Sequence, residues 1–129
     1  LVSTVDDYHR FARMLLALGR GPVDRVVSRA AVEAMTSDQL LPRQRHGAGL
    51  VDGWFESHGW GYGVGVVTRR TGIAGSVGAY GWDGGLGTAW LNDPREDLVT
   101  ILMTQAAWTS PEPPAVCSDF RTTAYAALD

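Results

Sequence analysis

Glycine sets the limits on what this chain can fold into. There are 16 glycines in 129 residues, and each one inside a helix costs about 1 kcal/mol relative to alanine. No long helical pattern survives that density, so a coiled coil is excluded. From Trp60 onward the glycines take up a different rhythm. Gly61, Gly63 and Gly65 alternate with Trp60, Tyr62, Val64 and Val66, the period of a strand with one bulky face and one nearly bare face. Apolar residues make up 45% of the chain and charged residues 19%, which provides for a packed core and excludes disorder. One domain of this length buries roughly 65–70% of its unfolded surface.

Two helices are expected before the glycine-rich half. Ser3 is placed as the N-cap of the first, with Asp6 three residues on as a capping-box variant and Asp7 favouring the dipole. Val5, Tyr8, Phe11, Ala12, Leu15 and Leu16 form its apolar face, and Gly19 with Gly21-Pro22 stops it. Ser28 caps a shorter helix through Ala31, Val32, Ala34 and Met35. Residues 37–58 show no periodicity and read as a long surface loop. The strand from Trp60 to Val67 is followed by a turn at Arg69–Gly72 and a second strand at Gly78–Trp82. Thr88–Asn92 is a third strand or the continuation of the second, and Asp93-Pro94-Arg95-Glu96 a type I turn. Leu98–Met103 reads as a strand covered on both faces. After the Pro111–Pro114 linker, Val116, Phe120, Ala124, Tyr125 and Leu128 mark a closing amphipathic helix. The fold class is α+β, an antiparallel sheet flanked by helices.

The most useful absence is lysine: all 11 basic residues are arginine. That removes the Walker A loop, Schiff-base chemistry and any serine activated by a lysine of this chain. A sequence pI of about 5.5 argues against a nucleic-acid footprint, and the early arginines are interleaved with Asp6, Asp7 and Asp24 as on a solvated helix surface. Cys117 is the lone cysteine, so no intrachain disulfide forms and no oxidising compartment is required. No apolar run reaches membrane-spanning length. The start at Leu1-Val2-Ser3-Thr4 lacks a signal layout and reads like a cut within a longer, bacterial protein. Its compartment stays open, with the cytoplasm favoured over secretion.

The densest unusual stretch is Gly81-Trp82-Asp83-Gly84-Gly85-Leu86-Gly87-Thr88-Ala89-Trp90. Glycines in or beside a strand forfeit packing. Either a ligand approaches the backbone here, with N–H groups at Gly84 or Gly85 binding an oxyanion, or a bulge bends the sheet. Spacing alone does not choose between them. Asp83, the only acid in the stretch, is placed either to orient a substrate or to bond its own turn. Ala74-Gly75-Ser76-Val77-Gly78 resembles a nucleophile elbow but lacks the helix that must follow one. His9, His46 and His58 have no metal spacing, so no metal and no cofactor is expected. His9 reads as exposed, and His46 and His58 as residues of the loop.

Taken in order, several segments resemble the C-terminal part of the serine β-lactamase-related family, the class C type that includes penicillin-binding DD-peptidases and carboxylesterases. Leu1–Tyr8 with Phe11–Leu16 resembles the family's "LVSTAxDYxRFxxMLL" helix, Val27–Val32 its "LSxxTV" segment, and Gly61–Gly65 its "GYGLG" strand. Trp82-Asp83-Gly84-Gly85 lies where the family carries its third motif, Lys-Thr-Gly or a variant with His or Trp first. Asp93-Pro94 and Asp97-Leu98-Val99 match the turn and last strand. The resemblance covers almost the whole chain and implies a partial β-lactamase/transpeptidase-like fold. It places residues 1–129 as a single unit, the C-terminal portion of a longer domain.

The family's Ser-x-x-Lys and Tyr-x-Asn motifs would lie upstream of Leu1. By resemblance, Gly85 offers one oxyanion N–H, while Trp82, Asp83 and Gly84 line the substrate side. The nucleophile and base are then absent from this chain. A neutral indole at Trp82 cannot pair with a substrate carboxylate as a cation does. An ester or other neutral acyl group therefore fits better than a β-lactam or D-peptide. The implied function is the C-terminal portion of a serine hydrolase acting on small acyl substrates, inactive alone. The alternative is a non-catalytic binding or assembly module that retains the fold. A complete small enzyme built on Ser76 or Cys117 lacks a neighbouring base. The partner is the missing N-terminal part of the same protein, or a second copy bound through an exposed sheet surface.

Overall fold

The computed structural model describes residues 2–45 and 53–128. Three helices, α1 (Val5–Leu16), α2 (Arg29–Met35) and the single turn α3 (Pro42–Arg45), precede a short 3-10 turn at Trp54–Glu56. Five strands follow: β1 (His58–Trp60), β2 (Gly65–Val67), β3 (Tyr80–Gly84), β4 (Thr88–Asp93) and β5 (Leu98–Met103), and α4 (Ala115–Ala126) closes the chain. The strands form one antiparallel sheet in sequence order, β1-β2-β3-β4-β5. The fold is α+β, as the sequence predicts. No helix among the described residues is long and apolar enough to cross a membrane.

The cap of α1 sits one residue later than expected. Thr4 is extended, and its hydroxyl accepts from the Asp7 amide at 3.2 Å and donates to the Asp7 carboxylate at 3.0 Å. Ala12 and Leu15 are buried while Val5 and Phe11 stay exposed, so the apolar face is narrower than the pattern implied. At the other end the Leu18 and Gly19 amides reach back to the Leu15 and Met14 carbonyls at 3.0 and 2.9 Å, a Schellman closure. Ser28 caps α2 as predicted, its Oγ accepting from the Ala31 amide at 3.1 Å.

Within the stretch read as a loop, the described residues 37–45 and 53–58 hold local structure, the turn α3, the 3-10 turn at Trp54–Glu56 and the start of β1. Asp38 organises its start: the carboxylate accepts from the Leu40 and Trp60 amides, both at 3.1 Å, and pairs with Arg45. His46 lies outside the described residues. The single strand expected over Trp60–Val67 is instead two strands joined by a tight turn. The Gly61 amide donates to the Val64 carbonyl at 2.8 Å, the Tyr62 amide donates to the Met35 carbonyl at 3.0 Å, and Gly63 adopts φ +89°. A Cβ on Gly61 would run into the Met35 carbonyl oxygen, so that glycine serves a backbone crossing and not a bare sheet face. β3 begins two residues later than predicted, because Gly78 at φ +95° still belongs to the preceding turn. β4 is a separate strand, paired with β3 from Tyr80↔Asn92 to Gly84↔Thr88.

β5 has the predicted bounds, and helices cover both its faces, α1 on the Val99 and Ile101 side and α4 on the Thr100 side. It pairs only with β4, only Thr100 on it is buried, and Met103 is 46% exposed. Its apolar run fits a strand packed on both faces, with its unpaired side lying in the plane of the sheet. On α4 the expected face holds at Phe120, Ala124 and Tyr125, while at its two ends Val116 and Leu128 are exposed and Cys117 is buried in place of Val116.

Successive strand residues point to opposite faces, and β4 uses this at its end. Asn92 and Asp93 are both fully buried. Asn92 faces α1: its Nδ2 donates to the Ala12 carbonyl at 2.8 Å and to the Tyr80 hydroxyl at 3.1 Å, and its Oδ1 accepts from Trp90 Nε1 at 2.8 Å. Asp93 faces α4 and accepts from the Tyr125 hydroxyl at 2.6 Å, the Ser76 amide at 2.8 Å and the Arg95 amide at 3.0 Å. The main core lies on the Asn92 side, where Tyr8 and Phe11 stand against Trp90 beside Leu15, Val32, Val66 and Tyr80.

Burial alone would raise the Asp93 pKa, but its hydrogen bonds outweigh burial and hold the carboxyl below its usual value. The stabilisation from this group is therefore complete above the unfolded-state value of about 3.9 and is lost as pH falls through the lower folded value. Thermal denaturation across pH should show the Asp93 contribution to the melting temperature constant near neutral pH and lost at pH below about 4. Asp93→Asn should lower stability at pH 7 by about 1–3 kcal/mol and flatten that acid limb.

Candidate active site

The end of β3 is paired on one side only. β2 accompanies it at Tyr80 and Gly81, through Val66 and Gly65, and no further. Among the described residues Trp82, Asp83 and Gly84 continue with β4 as their sole strand neighbour. The strand then turns, with the Gly87 amide donating to the Gly84 carbonyl at 2.9 Å. Gly87 has φ +90°, and a Cβ there would strike Thr104 Oγ1 and the Ala106 carbonyl, so the turn itself demands this glycine. Gly85 is different. A Cβ added to it would meet nothing within 4 Å, and its φ is not positive. Its carbonyl accepts from the Trp108 amide at 2.8 Å, while among the described residues its own amide has no acceptor.

A groove of about 940 Å³ opens beside this strand end. All five tryptophans line it, Trp54, Trp60, Trp82, Trp90 and Trp108, together with His58, Asp83, Gly85 and Arg121. Trp82 is 43% exposed and stands edge-on to Trp60, with ring centroids 4.6 Å apart. Trp54 stacks flat on His58 at 4.6 Å. Sequence reasoning singled out Trp82 in this wall. Trp90 stands across the ladder from it on β4, while Trp54, Trp60 and Trp108 join only through the 3-10 turn, the β1–β2 hairpin and the segment after β5, and the available signal was the number of tryptophans.

The structure brings together Trp82, Asp83, Gly84 and Gly85 on one strand end, as a contiguous motif must be. Asp83 does not face solvent or bond its own turn. Its carboxylate is held at two points by Arg121 of α4, with Nη1···Oδ2 at 2.9 Å, and the side chains are 14% and 21% exposed. Arg121 had no motif to mark it in the sequence. His58 lies at the start of β1, its Nδ1 2.9 Å from Ser57 Oγ and 3.3 Å from the Trp54 carbonyl. Burial pushes its pKa down and Arg121 adds to this, against the Trp54 carbonyl and Asp83; a neutral imidazole results at neutral pH.

The residues considered as nucleophiles within this chain are poorly placed for that role. Ser76 is buried, with its amide on Asp93 and its hydroxyl 3.3 Å from Glu96. Cys117 is buried, and burial with the nearby Asp83 charge raises its thiol pKa, away from the reactive thiolate. Among the described residues no group of three or more His, Cys, Asp or Glu gathers at metal-binding distance.

Comparison with known proteins places this geometry in context. The model of the Beta-lactamase family matches residues 1–119. Protein Rv1367c of Mycobacterium tuberculosis (strain ATCC 25618 / H37Rv) is 38% identical over 112 residues, covering 81% of this chain and 27% of the relative. Uncharacterized protein MT1414 of Mycobacterium tuberculosis (strain CDC 1551 / Oshkosh) matches with the same identity and coverage. The chain thus spans about a quarter of the length of these relatives. With the family model covering all but its last ten residues, this chain belongs to the Beta-lactamase family.

Proposed function

We propose that residues 1–129 are the C-terminal portion of a serine hydrolase that works through an acyl-enzyme, and that they supply one wall of its cleft and one oxyanion donor. The observation that carries this reading is Gly85: a glycine without a packing or conformational need, just past the open end of β3, lining an apolar groove with an amide that meets no acceptor among the described residues. Family membership and the short span of the relatives covered support it. The nucleophilic serine and its base then belong to the part of the protein outside these residues.

In that mechanism the serine oxygen attacks the substrate carbonyl and the carbonyl electron pair moves onto oxygen. The Gly85 N–H stabilises that oxyanion. The base outside these residues takes the serine proton and passes it to the leaving oxygen as the tetrahedral species collapses, which releases an alcohol and leaves an ester on the serine that water then cleaves. Trp82 presents a neutral ring where a cation would select a carboxylate, and its neighbours in the groove are aromatic. Esters of small apolar acids are the substrates this wall favours.

In the longer protein containing this chain, Gly85→Pro removes the amide proton and should slow acylation by an ester by roughly 10²–10³-fold, the usual effect of losing one oxyanion donor. Gly85→Ala keeps the proton in open space and should stay close to wild type. Equal rates for both variants would exclude Gly85 as a donor. If the parent protein does not acylate, the non-catalytic reading replaces this one.

The free edge of β5 bears on the isolated chain. An unpaired row of N–H and C=O groups beside exposed apolar side chains templates pairing with another strand. Light scattering at micromolar concentration should give dimers or larger species, and a monodisperse monomer would count against association through this edge.

A further inference from the structure

We propose that Arg121, far from the glycine motif in sequence, is a positioning residue for the Gly85 amide. This inference rests on the assignment of Gly85 as a donor and adds the means by which it is held. Beyond Gly81 the end of β3 has lost β2 and hangs on β4 through a turn rich in glycine. Gly84, Gly85 and Gly87 leave the backbone few steric limits of its own, and a strand end with one neighbour opens easily. An oxyanion donor must instead be fixed before the charge develops.

Two tethers meet this need. One is the Trp108 amide on the Gly85 carbonyl, at 2.8 Å. The other is the two-point pair between Asp83 and Arg121, two residues before Gly85 and largely out of solvent. Arg121 is mounted one turn before Tyr125, whose hydroxyl is bound by buried Asp93. The guanidinium is thus carried on a helix that is itself anchored to the sheet. Both Asp83 oxygens are taken up by Arg121, so its carboxylate acts through the strand and not on a substrate. The planar fork of arginine matches a carboxylate at two points, and lysine does not.

Hydrogen exchange on the 129-residue chain tests this without requiring catalysis. Arg121→Met should speed exchange of the hydrogen-bonded amides of residues 83–88, Gly87 among them, about tenfold or more, leaving α1, β5 and the remainder of β4 unchanged, the pattern of a local opening. Arg121→Lys should fall between. The charge-exchanged double variant, Asp83→Arg with Arg121→Asp, should restore much of the protection. Unchanged exchange at 83–88, or uniform acceleration over the whole chain, overturns the proposal.

In the longer protein, Arg121→Met should lower kcat for an ester with little change in KM. Affinity for a boronic acid that forms a tetrahedral adduct should fall in parallel with kcat. A change confined to KM would contradict positioning of the donor. Absence of acylation in the parent protein would sink the hydrolase reading alone, and the exchange pattern would still decide whether Arg121 holds the strand end.

Discussion

The arrangement depends on two adjacent side chains at the end of β4. Asn92 and Asp93 are polar, fully buried, and turned to opposite faces of the sheet. Each would be costly to bury without partners, and each has them. Asn92 reaches the Ala12 carbonyl of α1 and gathers Tyr80 and Trp90 around it. Asp93 takes the Tyr125 hydroxyl of α4 and the amides of the turns on either side. Apolar packing brings helices to a sheet without fixing where they stop. These directional bonds fix one point of α1 and one point of α4 against neighbouring residues of a single strand.

From that anchor the candidate site follows by short steps. Asp93 holds Tyr125, α4 carries Arg121 one turn away, and Arg121 holds Asp83 at the open end of β3. Gly85 follows two residues later, with its amide facing no described acceptor. On the opposite border of the groove, Asp38 binds the Trp60 amide and Trp54 stacks on His58. Part of the aromatic wall is thereby built from the segment that looked least structured, and the sheet opens beside Trp82 where β2 ends.

Much of the fold was legible because its determinants are local. The Ser28 cap, the extent of β5 and the α+β class follow from neighbouring residues and periodicity. The misreadings share a cause in distant contacts. Gly61 alternates perfectly with bulky neighbours, yet its bare position answers to the Met35 carbonyl, and no periodicity reveals a chain crossing. Residues 37–58 lack a pattern because Asp38 orders part of them through single bonds. Asp93 was legible as a turn residue, as its bond to the Arg95 amide at 3.0 Å fits. Its larger role needed Tyr125, 32 positions away. Within the site, the Trp82–Gly85 motif stood out by glycine density and by family resemblance. Arg121 and Trp108 carry no local signal, since their partners lie across the fold.

The central claim is a division of labour, with the oxyanion donor in these 129 residues and the nucleophile outside them. Intact-mass analysis after incubation with a fluorophosphonate, and separately with a penicillin, tests it most directly. The 129-residue chain should gain no mass, while the longer protein containing it should gain one fluorophosphonate on a serine outside residues 1–129. A stoichiometric adduct on any serine within these residues would contradict the account, because the chain would then hold an activated nucleophile of its own.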